Sequence, residues 1–449
     1  MLDKSLENVN LNSVLIEIYG LGYVGFPLAV KLAQNGFNVK GIDVNEYRIE
    51  RLKSNKLFDS EIYLKNEFHN AIKNKKLQLE ATPLKENMTK IMMICVPTPI
   101  AKMGLESDVF VKKAVNSALE FSKKGDIIIL ESSIEPGTTD KIAQIIESKG
   151  YRIGEDVGLC FCPERMDPAN KEWGIENIPR IIYCSDNSTF EITKKIYQKV
   201  NGGNLVRVSS AVIAEVVKSF ENAFRLVNIS LVNELAILCD KLGINVKEVI
   251  DAAATKPFGF MPHYPGAGAG GHCIPKDPRF LISSAKRHNT EFSTISNALK
   301  INSIMPNYIV NSIKNILEKM NLEKKILVVG LSYKPNVEDM RDSPSFKIIS
   351  QMRKENFIVS AYDPYYNSKF KEKYQIENDI YEIDFDILTN LDHEMIKKFS
   401  AICVVVHHTK NEKRLKEIYE KSEIPLIYDC QHRIQKINSS KTILEYLGN

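Results

Sequence analysis

Short apolar runs of strand length alternate with amphipathic stretches from residue 14 to about residue 205. Residues 14–20 (VLIEIYG), 38–44 (NVKGIDV), 91–99 (IMMICVPTP), 126–133 (DIIILESS), 157–164 (VGLCFCPE) and 180–185 (RIIYCS) read as strands, the last closing a sheet. Residues 26–36 (FPLAVKLAQNG) read as a helix stopped by Gly36. Strands that alternate with helices are joined by crossovers, so the sheet is expected to be parallel with helices on its faces.

The pattern changes near residue 205. Residues 209–243 keep a helical period and contain no Gly or Pro before Gly243. That is one helix, roughly 45 Å long, of the kind that joins domains or supports an oligomer. A second helix opens at 245–255, a Gly/Pro-rich loop spans 257–278, and helices resume from about 279 to 320. Strand-like runs return at 324–334, 358–364, 401–408 and 425–430, with a helix at 344–356. The expected class is α/β: two doubly wound halves joined by a long central helix and a helical middle domain. The expected boundaries are 1–205, 206–320 and 321–449. The likeness of the two halves is architectural and not a short-period repeat.

An apolar fraction of 44% and a charged fraction of 26% allow a large core. The net charge of +4, spread along the chain, gives no basic face, so no nucleic-acid partner is expected. No uninterrupted apolar run approaches the roughly 18–20 residues that cross a bilayer, and the first residues are polar. A cytoplasmic protein without a membrane partner is expected. The eight cysteines are scattered without zinc-site spacing, so no metal is expected, and a reducing compartment with small buried thiols accounts for most of them.

Four features bear on chemistry. Gly20-x-Gly22-x-x-Gly25 follows a strand and opens a helix, and Asp43 ends the next strand. Such glycines let a pyrophosphate approach backbone at a helix N-terminus, and the carboxylate accepts from an adenosine ribose while repelling a 2′-phosphate. The expected cofactor is NAD. Cys273 lies in Gly270-Gly271-His272-Cys273-Ile274-Pro275-Lys276-Asp277-Pro278, among glycines and beside a cation that favours thiolate; composition leaves a structural thiol open. Lys218 and Asn222 are four residues apart on the long helix, hence on one face, and suit an oxyanion or a solvated surface. Glu164, in Pro163-Glu164-Arg165, ends a strand where an acid/base group or a simple ion pair would sit. Ser133 also follows a strand, and Lys334 and Arg341 follow the first strand of the last domain and suit an anion.

In this order these motifs resemble the UDP-glucose/GDP-mannose dehydrogenase family from about residue 14 to 435. The likeness rests on YGLGYVGFPLA, VPTP, EPGTT, CPER, Lys218 with Asn222, GGHCIPKDP and SYKPNVEDMRDSP. CPERMDPAN and PFGFMPHYPGAGAGGHCIPKDP look most like enzymes of UDP-N-acetylhexosamines. The resemblance implies two Rossmann-like domains, the second holding the nucleotide diphosphate, and a homodimer. It implies Cys273 as nucleophile, Lys218 and Asn222 at the oxyanion, Glu164 as base for thioester hydrolysis, and Asp277 assisting proton transfer. Ser133 stands where the family has threonine and keeps the hydroxyl. Tyr23, Val24, Asp43, Arg48, Pro97, Thr98, Ser133 and Lys276 fall with the glycines on the cofactor side. Glu164, Arg165, Lys218, Asn222, Phe260, Tyr264, Gly270, Lys334 and Arg341 fall on the substrate side.

The implied activity is NAD-dependent four-electron oxidation of C6 of a UDP-N-acetylhexosamine to the uronate, for a surface-polysaccharide precursor. UDP-glucose is the alternative substrate. A 3-hydroxyacid-type dehydrogenase would need neither Cys273 nor the last domain, and a non-catalytic dinucleotide-binding protein would not need Cys273, Lys218 and Glu164 together.

Overall fold

The computed structural model describes residues 14–99, 107–166, 172–366, 385–410, 412–434, 437 and 440–449. The chain divides into two compact units, the residues up to Glu221 with Arg279–His288, and Asn222–Pro278 with Asn289–Asn449. The helical middle of the sequence is therefore shared out between them.

The first unit is built on eight strands: β1 (Val14–Tyr19), β2 (Asn38–Ile42), β3 (Leu77–Glu80), β4 (Thr89–Ile94), β5 (Ile127–Leu130), β6 (Gly158–Phe161), β7 (Arg180–Cys184) and β8 (Leu205–Arg207). Their order in the sheet is β3-β2-β1-β4-β5-β6-β7-β8. β1, β4 and β5 are apolar along almost their whole length because helices cover both faces. Chain order reverses between β1 and β4, which opens a crevice at their carboxyl ends.

Three expectations need correction here. RIIYCS does not close the sheet; the short strand β8 lies outside it, and β7 runs antiparallel to β6. That antiparallel register sets Cys160 opposite Cys184, and the two are joined as a disulfide, so the cysteines are not all separate thiols. Sequence spacing carries no sign of it, because strand pairing alone brings the two together. β3 also has too few apolar residues to have been visible as a run.

In the second unit, β9 (Lys325–Val329), β10 (Ile358–Tyr362), β11 (Asp386–Leu388), β12 (Ala401–Val404), β13 (Leu426–Asp429) and β14 (Ile443–Tyr446) form a sheet ordered β11-β10-β9-β12-β13-β14. All of its pairs are parallel. It repeats the order of the first six strands of the other sheet, with the reversal between β9 and β12.

The long helix runs from Ala211 to Leu242, 32 residues. By length and average composition it could cross a membrane, although no apolar run within it reaches 18 residues without a charge. The charges that interrupt its apolar runs are too sparse to lower the average. Of its most apolar window, 44% is buried inside the protein. Leu226, Ala236 and Cys239 on one flank are enclosed, while Phe220, Phe224, Leu231 and Leu238 on another are exposed.

Candidate active site

In the first unit the residues after β1 form the glycine turn. Gly20 has φ +92°, and its N–H donates to the Ile42 carbonyl at 2.8 Å. A side chain at Gly25 would collide with the Gly20 carbonyl, so glycine is needed there for the helix Gly25–Gln34 to begin so close to the strand. At Gly22 an added Cβ would meet nothing within 4 Å. Its space is open to a ligand and not filled by packing. Val24 gives that helix no side-chain cap, and its first turn carries no acidic residue. An uncapped, unopposed helix start beneath an open glycine fits a pyrophosphate.

The contrast with the helix Thr138–Ser148 is informative. There the buried Glu215 of the long helix accepts from the N–H groups of Gly137 and Thr139 and from the Thr139 hydroxyl, at 2.6–2.7 Å. The EPGTT turn is thus already closed by a carboxylate of the chain. Glu215 drew no notice in the sequence, although a charged residue on the apolar flank of a helix is the signal that could have found it.

Asp43 follows β2. Its Oδ2 accepts from the Leu21 N–H at 2.8 Å and its Oδ1 from the Asn45 N–H at 2.9 Å. The carboxylate holds the glycine turn and is still partly exposed. Arg48 is buried beneath it, donating to the Leu21 carbonyl at 3.1 Å and pairing with Glu61. Its guanidinium is therefore tied inside the unit. Thr98 donates to the Ser133 carbonyl at 2.6 Å, which links the loops after β4 and β5; Pro97 beside it is exposed. Tyr23, Val24 and Ser133 are half-buried along the same edge.

Glu164, after β6, is buried. Its Oε1 accepts from the N–H groups of Arg165 and Met166 at 2.7 and 2.8 Å, and its Oε2 lies 3.4 Å from Arg180. Arg180 is fully enclosed and also pairs with Glu131. Arg165 is paired with Glu221 and donates to the Pro179 carbonyl at 2.7 Å. Residues 167–170 of the CPERMDPAN stretch lie outside the described residues. Lys218 is half-buried on the long helix, one turn before Asn222.

The second unit carries the cysteine. Cys273 is exposed, and among the described residues the other cysteines outside the disulfide are partly or fully buried. Its carbonyl accepts from the N–H groups of Lys276 and Asp277 at 3.2 and 2.8 Å, so it heads the turn that leads into the helix Asp277–Arg287. Asp277 has no exposure; it accepts from the Asn222 amide at 2.7 Å and lies 3.2 Å from the Lys276 ammonium. Four predicted site residues are thereby gathered: the cysteine at the surface and a buried Asn222–Asp277–Lys276 string under it. Burial, with Lys276 and Arg341 nearby, lowers His272 to about 3, so its ring is neutral at physiological pH.

The loop before Cys273 is held from both sides. Asn233 accepts from the Gly266 N–H, and Asn302 exchanges two hydrogen bonds with the Ala269 backbone. The Gly271 N–H donates to the Arg341 carbonyl at 3.0 Å. A Cβ at Gly271 would fall 2.8 Å from the Tyr333 ring, and one at Gly270 2.7 Å from the Asp342 carbonyl. The glycines let this loop lie directly on the segment bearing Lys334 and Arg341. Arg341 is paired with Asp339 at 2.8 Å, and Lys334 lies 5.8 Å from the Tyr333 ring. Phe260 and Tyr264 are exposed, with the Tyr264 hydroxyl donating to Asp251 at 2.7 Å. Asn233 and Asn302 were invisible in the sequence, since a buttress shows only when its loop is placed.

The second sheet repeats the first turn with a different outcome. Gly330 has φ +90°, and Asp363 after β10 accepts from the N–H groups of Leu331 and Ser332 at 2.6 and 3.0 Å. Asp363 is buried, with His408 Nε2 at 3.2 Å, while Asn336 donates to the other ring nitrogen. Asp43 is left accessible to a ribose; its counterpart is enclosed.

An open glycine turn, an accessible carboxylate after β2 and an exposed cysteine on a glycine-buttressed loop define an NAD-binding dehydrogenase with a second nucleotide-type fold. Comparison makes the class specific. The NAD binding, central and UDP binding domains of the UDP-glucose/GDP-mannose dehydrogenase family match residues 14–201, 212–304 and 327–436. The chain is 35% identical over 444 residues to the UDP-N-acetyl-D-mannosamine dehydrogenase of Methanococcus vannielii, covering 96% of each. It is 31% identical to the UDP-N-acetyl-D-glucosamine 6-dehydrogenase of Pseudomonas aeruginosa, over 80% of this chain and 85% of that one. The solved UDP-D-ManNAc dehydrogenase of Pyrococcus horikoshii superposes with a TM-score of 0.83 at 30% identity, over 97% of this chain and 99% of that one. The protein belongs to the UDP-glucose/GDP-mannose dehydrogenase family and is an NAD-dependent nucleotide-sugar dehydrogenase.

Proposed function

We propose that the protein oxidises the C6 hydroxymethyl of a UDP-N-acetylhexosamine to the carboxylate, with Cys273 carrying the sugar between two oxidations. Full-length likeness to the Methanococcus enzyme puts the manno epimer first, and the Pseudomonas relative puts the gluco epimer next. The observation that carries the reading is Cys273, exposed at the head of a helical turn above the buried Asn222–Asp277–Lys276 string.

Gly20, Gly22, Gly25 and Asp43 would hold NAD, which accepts a hydride in each oxidation. Cys273 sulfur adds to the C6 aldehyde, giving a thiohemiacetal, and the second oxidation leaves a thioester. Lys218 and Asn222 stabilise the oxygen that gains charge at C6. Asp277 orients Asn222 and Lys276. Glu164 takes a proton from the water that attacks the thioester. The segment bearing Lys334 and Arg341 holds the nucleotide diphosphate. Covalent capture keeps the aldehyde from escaping. We place the enzyme in the cytoplasm, as part of surface-polysaccharide precursor synthesis.

With NAD⁺ and a panel of UDP-N-acetylmannosamine, -glucosamine, -galactosamine and UDP-glucose, kcat/KM is expected to be highest for an acetylated sugar; a clear lead for UDP-glucose overturns that assignment. Asp43→Ala is expected to lower kcat/KM for NAD⁺ by about 30-fold, since the two hydrogen bonds that hold the glycine turn, about 1 kcal/mol each, are lost. It also narrows the lead of NAD⁺ over NADP⁺, because the charge facing a 2′-phosphate is gone. Equal efficiency of the unaltered enzyme with both cofactors would refute this role for Asp43.

The long helix supports a homodimer. Ile213, Phe220, Phe224, Leu231, Leu238 and Leu242 are exposed and recur at intervals of seven and four, one stripe along the helix. A second copy would cover it. Light scattering is expected to report a dimer at micromolar concentration and a shift to monomer with Phe224→Asp and Leu231→Asp together. A monomer before any substitution counts against it.

A further inference from the structure

We propose that Glu131 is a positioning residue that governs how Glu164 acts in hydrolysis, through the one guanidinium the two carboxylates share. This rests on Glu164 being the base of thioester hydrolysis. Arg180 has no exposure, Glu131 has 1% and Glu164 has 9%. Arg180 Nη2 pairs with Glu131, lies 3.4 Å from Glu164 Oε2, and donates to the Cys162 carbonyl at 3.2 Å. On the other side the Tyr197 hydroxyl donates to Glu131, and the Arg180 guanidinium lies 4.9 Å from the Tyr197 ring.

The groups facing Glu131 come from four segments: Arg180 on β7, Tyr197 on the helix Asn187–Asn201, Glu164 and Cys162 beyond β6, and Cys95 beyond β4. Burial pushes the Cys162 thiol up to about 12 and the Cys95 and Tyr197 groups up as well, so these three stay neutral. Two carboxylates and one guanidinium are left to share a charge in a closed space. Burial raises Glu131 to about 7, with Arg180 opposing the rise and Glu164 adding to it.

The consequence follows from charge balance. With Glu131 ionised, it holds the Arg180 guanidinium and leaves Glu164 Oε2 to the attacking water. With Glu131 protonated, the guanidinium pairs with Glu164 alone and competes for the oxygen that takes the water's proton. In hydrolysis the water oxygen bonds to the thioester carbon while its proton passes to Glu164. The carbon–sulfur bond then breaks, the thiolate leaves, and no oxidation state changes. This step alone should speed up as Glu131 ionises.

The test is single-turnover decay of the thioester, followed by rapid quench and intact-protein mass across neutral pH with the UDP-sugar as substrate. In the unaltered enzyme the decay rate is expected to rise through an ionisation near neutrality. In Glu131→Gln that rise disappears and decay is about tenfold slower on the alkaline side, while the two-NADH burst stays within about twofold. Glu131→Asp restores the rise. If Glu131→Gln does not fold, Tyr197→Phe serves: it removes a hydrogen bond to ionised Glu131, so the rise moves to higher pH. An unchanged profile in Glu131→Gln, equal loss of burst and decay, or an unmoved rise in Tyr197→Phe overturns the proposal. Glu164→Gln separates the two ideas. If it decays at the normal rate, the base assignment fails; if it is slow while Glu131→Gln keeps the normal profile, only the role of Glu131 fails.

Discussion

Each sugar oxidised should yield two NADH and one uronate, and Cys273→Ala should end uronate formation, lowering the overall rate on the order of 10³-fold or more. In the proposed reaction two hydrides leave the same carbon in succession, and the covalent hold on Cys273 keeps the aldehyde in place between them. Cys273→Ser should be nearly inactive and retain sugar as an ester, because an alkoxide is a far poorer leaving group than a thiolate. Alkylation should inactivate the enzyme, and nucleotide sugar should protect it. Selectivity follows from the structure. Burial pushes the thiols of Cys95, Cys162, Cys239 and Cys430 upward, and Cys160 and Cys184 are joined to each other. Cys273 is the exposed one, so iodoacetamide should label it first, as peptide mapping would show. Replacing the buried cysteines should cost stability and leave the chemistry. A one-step oxidation beside a structural thiol predicts a ratio of one, a released aldehyde and an active Cys273→Ser enzyme. NADH counted against sugar consumed decides between them.

Glu164→Gln should separate oxidation from release. Glutamine keeps a carbonyl oxygen for the N–H groups of Arg165 and Met166, so the turn after β6 should survive. It cannot take a proton from water. Hydrolysis should slow by about 10²- to 10⁴-fold, the usual worth of a positioned base. The enzyme should release two NADH per active site in a burst and then stall as the thioester, visible in the intact-protein mass. A normal steady state without adduct would remove Glu164 from the mechanism. A missing burst would instead place it before or within the oxidations.

Much of the site was legible because its residues are local in sequence. Gly20, Gly22 and Gly25 sit within one strand–turn–helix; Gly20 is required by its positive φ and Gly25 by close packing, while Gly22 leaves open space. The cysteine loop announced itself through glycines that no apolar core would need. Arg48 and Arg165 illustrate the limit. Both stand in motif positions on the cofactor or substrate side, yet each is paired with a carboxylate of its own unit, Glu61 and Glu221. A sequence lists a cation without saying what already neutralises it.

By itself the sequence determined the alternation of strands and helices, the long helix, read as 209–243, the glycine turn with its acidic residue, and the cysteine loop. Each follows from a period, a backbone requirement or a composition that neighbours along the chain can express. Only tertiary structure decided the rest. The antiparallel turn of β7, and with it the meeting of Cys160 and Cys184, depends on pairing across 24 residues. The closing of Asp363 by His408, while Asp43 stays open, distinguishes two turns that read almost alike. The enclosure of Arg180 between Glu131 and Glu164 joins three separate segments. A buried charge is stable only beside its partner, and that partner is chosen by packing in space, which no local pattern records.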